Sequence, residues 1–100
     1  MSEWVYFLHP RRENFAATMT DEESVVFTEH FAYLQGLLEE GVLILAGPTL
    51  GATNTGITVF RAANEVEAAH VMASDPVIRA NVVEGELREF RLSLLEGRDH

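Results

Sequence analysis

A chain of 100 residues, 47% of them hydrophobic, closes one core and is too short for two. A formal charge of -9 without a single lysine argues against a surface that tracks phosphates, so no nucleic-acid partner is expected. The lack of cysteine removes disulfides, thiol nucleophiles and thiolate metal sites, and no apolar run approaches the roughly 20 residues that cross a bilayer.

The first residues show no basic stretch followed by an apolar run and a cleavage site. The expectation is therefore a cytoplasmic protein without a membrane partner. Residues 3–9, with Trp4, Val5, Tyr6, Phe7 and Leu8 in succession before Pro10, read as a first strand. Residues 10–19 lack either period and read as a connecting loop that carries Arg11, Arg12, Phe15 and Met19. Thr20-Asp21-Glu22-Glu23 is a capping box, and Asp21 and Glu22 add negative charge to the positive end of the helix it opens. That helix runs to about Glu40, where Gly41 ends it. At 100° per residue Phe27, His30, Phe31, Leu34, Leu37 and Leu38 share one face, so His30 points inward.

Residues 42–46 are apolar throughout and form a second strand, closed by Gly47-Pro48 and a polar loop over 49–55. Residues 56–62 give a third strand, and Asn64 caps a second helix from Glu65 to about Ser74, which Asp75-Pro76 interrupts. Residues 77–83 suggest a further helical turn. Alternation over 86–95, with Phe90, Leu92 and Leu94 on one side, marks a fourth strand. The domain is expected to span 1–97, with 98–100 as a frayed tail.

This order predicts an α+β, ferredoxin-like βαββαβ protomer, an antiparallel four-stranded sheet with two helices on one face. The first two strands are apolar on both faces, yet two helices cover only one. A homodimer through the bare sheet face is the simplest way to close it.

The segment His30-x-x-Tyr33-Leu34, followed by Gly41, Gly47-Pro48 and Asp75-Pro76, resembles the YCII-related (YciI-like) family. So does Pro10-Arg11-Arg12-Glu13-Asn14-Phe15 with Met19-Thr20, which is similar to the segment before the first helix in one branch of that family. The likeness extends over nearly the whole chain. It implies ferredoxin-like protomers pairing sheet to sheet as a dimeric α+β barrel, with a pocket between sheet and helices lined by the matching His30 and Asp75. It also implies small-metabolite chemistry, since a dehydrochlorinase of chlorinated-quinol breakdown is among YCII-like proteins and muconolactone isomerases have a similar fold.

A histidine on an apolar face becomes a general base near neutral pH when a carboxylate holds its other nitrogen. His30 and Asp75 are far apart in sequence, but the topology brings their two helices to one face. The matching reading of Asp75 is that it only caps the helix before Pro76. Arg12 either holds an anionic substrate through its guanidinium fork or pairs with an acidic neighbour on the loop. Tyr33 either donates a phenolic hydrogen bond to a ligand or packs at the core edge. His9, at the end of the first strand, is a third candidate for substrate contact. Phe15 and Met19 are read as loop anchors, Glu23 as part of the capping box, and His70 as surface.

No His-x-x-x-His spacing and no glycine-rich strand-to-helix motif occurs, so neither a metal nor an organic cofactor is expected. The function expected is proton transfer on a small anionic or carbonyl-containing metabolite, of isomerase or lyase type, with His30 as base and Asp75 as its support. The alternative is a noncatalytic small-acid-binding dimer using the same pocket.

Overall fold

The computed structural model describes residues 1–99. Its elements are β1 (Ser2–Pro10), α1 (Asp21–Glu39), β2 (Leu43–Pro48), β3 (Gly56–Ala62), α2 (Glu65–Ala73), α3 (Pro76–Arg79) and β4 (Val83–Phe90). The four strands form one antiparallel sheet in the order β2-β3-β1-β4, the ferredoxin-like arrangement. Among the described residues no helix is long and apolar enough to cross a membrane.

Both ends of α1 are fixed by local chemistry. The Thr20 hydroxyl accepts from the Glu23 amide, and the Glu23 carboxylate accepts in return from the Thr20 amide. At the other end Gly41 adopts a φ of 78°, Val42 N donates to Leu37 O, and Gly41 N donates to Leu38 O, a Schellman closure. The same closure ends α3, with Asn81 at φ 57° in the glycine position and Val82 N bonded to Val77 O.

Alternation along β1 sends Trp4, Tyr6 and Leu8 to the helices, where they join Phe60, Ala62, Ala68, Val77 and Val83 in the main core. A smaller cluster of Leu34, Leu37 and Leu43 lies between α1 and β2. Val5, Phe7 and His9 project to the opposite face, beside Val59 and Ile57, their neighbours in the β1–β3 ladder.

Three local details differ from the sequence expectation. The helical turn expected after Asp75 is present as α3 but stops at Arg79, and β4 begins at Val83 instead of Glu86. β4 also stops at Phe90, because its antiparallel partner β1 runs out: the register ends at Glu3↔Phe90, leaving nothing for Leu92 and Leu94 to pair with. Residues 91–95 are irregular, Arg98 and Asp99 hydrogen-bond back to them, and His100 lies outside the described residues.

The third difference concerns α1. Leu34 and Leu37 are buried as expected, but Phe31 and Leu38 remain 62% and 58% exposed. Their flank of the helix faces an open cavity instead of the packed core.

Candidate functional site

α3 owes its position to two residues. Pro76 at the first helical position holds Asp75 in an extended conformation, and Gly85 on β4 leaves room for the helix to approach. A Cβ at Gly85 would come within 2.7 Å of Ile78 Cδ1. Asp75 is the N-cap, its Oδ1 accepting from Val77 N at 3.1 Å. Asp75 caps α3 and contacts His30 at once, because the two carboxylate oxygens also face α1 and β1.

His30 Nδ1 lies 2.8 Å from each of Asp75 Oδ1 and Oδ2. The Tyr6 hydroxyl donates to Oδ2 at 2.7 Å. Asp75 is completely buried, while the His30 side chain keeps 13% exposure. Beside an ionised carboxylate, which only accepts hydrogen bonds, a neutral imidazole places its proton on the facing Nδ1 and its lone pair on Nε2. Burial, reinforced by the Asp75 charge, pushes the Tyr6 hydroxyl far above the ordinary tyrosine value and keeps it a donor.

His30 lines a cavity of about 730 Å³. Phe31, Leu34 and Leu38 of α1 form one wall, Ile44 and Ala46 of β2 another, with Leu8 and Thr58 from the sheet and Phe15 and Met19 from the loop before α1. The lining is overwhelmingly apolar. Aromatic contacts set the orientation of the imidazole: Phe27 meets the ring edge-on at 5.5 Å, and Phe15 in turn packs 5.5 Å from Phe27.

The other sequence candidates are placed away from this lining. Arg12 makes a two-pronged contact with Glu23 at 2.7 and 3.0 Å, bonds the Thr18 hydroxyl and carbonyl, and lies 4.5 Å over the Phe15 ring. The paired guanidinium holds the Glu23 carboxyl down at about 2. The structure thus gives Arg12 the acidic-neighbour alternative and makes it the anchor of the loop that carries Phe15. Glu23, read as a cap alone, serves both contacts.

Tyr33 sends its hydroxyl to Val71 O at 2.7 Å, a tie between α1 and α2, and burial with the Asp75 charge pushes its pKa up to about 12. His9 lies on the sheet face opposite the cavity, 2.8 Å from Glu86, whose second oxygen takes Arg88. The His9 contact, then Arg88, holds Glu86 below the usual carboxylate range.

Tyr6 is the residue that sequence reasoning passes over. Its signal is available: alternation places it inward between Trp4 and Leu8, and a buried tyrosine hydroxyl demands a partner. No group of three or more His, Asp or Glu side chains placed to hold a metal ion occurs among the described residues.

The profile of the YCII-related domain matches residues 4–91. Among solved structures, the chain is similar to 5-chloro-2-hydroxyhydroquinone dehydrochlorinase from Burkholderia phenoliruptrix, determined as a complex with 2,5-dihydroxybenzoquinone. The TM-score is 0.63 at 16% identity, over 87% of this chain and 93% of that one, a likeness of fold. No curated protein sequence matches. With the family profile covering the sheet, all three helices and both residues of the His30–Asp75 pair, the chain belongs to the YCII-related domain family.

Proposed function

We propose that the cavity is a proton-transfer site for a small carbonyl-containing metabolite, of isomerase or lyase type, and that the chain works as a homodimer closed through its bare sheet face. The observation that carries the reading is the combination at His30: one nitrogen held by a fully buried carboxylate, the other available to an apolar cavity of metabolite size. His30 Nε2 takes a proton from carbon beside the carbonyl. Asp75 stabilises the imidazolium that forms, and Tyr6 and Val77 N hold the Asp75 carboxylate in its orientation. The same imidazolium returns its proton at another carbon in an isomerisation, or to the medium once a leaving group has departed. The dehydrochlorinase of similar fold is named for 5-chloro-2-hydroxyhydroquinone and was determined with 2,5-dihydroxybenzoquinone, a small cyclic carbonyl compound, which supports the reaction class by analogy only.

The test is deuterium exchange at the α-carbon of cyclic ketones in D2O, together with conversion of 3-cyclohexen-1-one to its conjugated isomer followed by absorbance. Exchange above the buffer rate that falls roughly 10²- to 10⁴-fold in His30→Ala is the expected result. Equal exchange in both proteins overturns it.

A second reading rests on the other bonds of Asp75. Because the carboxylate also caps α3 and anchors Tyr6, the pair has a structural reason to exist without turnover. Saturable binding that shifts the His30 ring resonances, with no exchange in any ketone, would identify the chain as a noncatalytic ligand-binding dimer.

A further inference from the structure

We infer that the cavity takes an uncharged, ring-shaped substrate carrying oxygen at two ends, one met by His30 and the other by the side-chain amide of Gln35, and that it rejects carboxylates. The inference deepens the proton-transfer reading, on which it rests for its use of His30 Nε2.

No arginine lines the cavity and the chain has no lysine. Arg12, the candidate for holding an anion, is spent on Glu23, and Arg11 on Glu84 and Asn81. Protonation of His30 brings no surplus either, since its positive charge faces the Asp75 carboxylate at 2.8 Å. A carboxylate entering the apolar lining would lose water without gaining a countercharge, inside a chain whose formal charge is -9. An uncharged ring avoids that cost.

Most polar groups on the lining are already committed within the protein. Asn54 also lines the cavity, but its amide nitrogen donates to Thr49 O and Gly51 O and its oxygen accepts from Ala16 N. Thr58 is 1% exposed and turned toward Tyr6. Gln35 lines the cavity, is exposed, and has no hydrogen-bond partner among the described residues. It stands five positions beyond His30 on α1, about 7.5 Å along the helix axis and about 140° around it, so the two side chains flank the apolar wall of the cavity and leave room between them for a six-membered ring with an oxygen at each end. Between them Phe31 and Leu34 supply an apolar wall facing β2. The 62% exposure of Phe31, unexplained by core packing, fits a ring-stacking surface.

The matched probes 4-hydroxyacetophenone and 4-hydroxybenzoate share a phenol ring and differ in a ketone against a carboxylate. Each is titrated into the full chain by calorimetry, with the His30 ring and Gln35 amide resonances followed by NMR. The ketone should bind roughly 10-fold more tightly or better and shift both sets of resonances. Gln35→Leu should weaken the ketone roughly 3- to 10-fold with an unchanged melting temperature. Gln35→Lys, which supplies the missing cation, should reverse the preference toward the carboxylate.

Equal or tighter binding of the carboxylate by the unaltered chain, or a Gln35→Lys protein that still rejects it, overturns the inference. In those cases movement of the His30 resonances leaves the site reading standing. Failure of both probes to move the His30 resonances overturns the inference together with the site it rests on.

Discussion

The Tyr6 hydroxyl reaches Asp75 Oδ2 at 2.7 Å from the sheet, opposite the imidazole that reaches the same carboxylate from α1. A buried carboxylate with a single partner would carry a large desolvation cost, and this one has three donors on two oxygens. Tyr6 is therefore part of what allows a charged Asp75 inside the core.

Tyr6→Phe should destabilise the protein by about 1–3 kcal/mol, since it keeps the ring packing on Phe60 and removes one donor from a buried charge. Urea denaturation near neutral pH measures the loss. The alkaline limb gives a second reading. The folded Tyr6 pKa lies above the unfolded value of 10, so its contribution is whole below pH 10 and declines as pH rises beyond it. Tyr33 behaves likewise between about 10 and 12. In Tyr6→Phe the fall in stability above pH 10 should be shallower than in the unaltered chain.

Asp75→Asn keeps an oxygen for the Val77 amide but sets an amide N–H donor against Tyr6 or His30. The conflict is relieved if the imidazole proton moves to Nε2, which removes the base from the cavity side. The expected outcome is a stability loss of about 3 kcal/mol. Nitrogen NMR of the ring should show the Nδ1–H tautomer in the unaltered chain and Nε2–H in the variant. An unaltered chain already in the Nε2–H form would contradict the assignment of the base.

Arg12 and Glu23 give a pH signature of the loop that carries Phe15. The folded Glu23 pKa of about 2 lies below its unfolded value of 4.5, so over that interval the unfolded chain binds more protons. The contribution is complete above about pH 4.5 and disappears as pH falls through 2. Glu23→Gln should therefore be less stable than the unaltered chain by a constant margin from pH 8 to 5. The margin should close on acidification toward pH 2, as followed by denaturation at each pH. A margin independent of pH down to 2 would contradict the charged contact with Arg12 as the source of the loss.

How far the sequence reaches depends on whether a signal is local. The capping box at Thr20, the helix stop at Gly41 and the Asn64 cap are short-range chemistry and sit where the residues put them. The strand order follows from periodicity and from the few topologies open to βαββαβ. His30 is legible because one polar residue interrupts an apolar stripe. The end of β4 is not legible, since it depends on where β1 stops and not on Leu92 or Leu94. Nor is the fate of Arg12, because sixteen acidic side chains offer it partners and only the folded loop selects Glu23. The exposed flank of α1 escapes as well: Phe31 and Leu38 share the helical period of Leu34 and Leu37, and a period cannot distinguish a packed neighbour from a cavity.

The bare sheet face carries the last prediction. Phe7 and Ile57 are half-buried there, Leu45 is 48% exposed, and the His9–Glu86–Arg88 contacts run beside them. An apolar centre with a charged margin is the composition of a pairing surface. Light scattering after size exclusion should therefore give twice the mass of the chain. Phe7 faces Glu86 across the β1–β4 ladder, so Phe7→Arg places a cation opposite a carboxylate within the protomer while setting charge against the apolar centre of a partner. That variant should keep its circular dichroism and run as a monomer. A unaltered chain that is monomeric at high concentration would remove the sheet face from the proposal, and the cavity on the other side of the sheet would have to function in a single protomer.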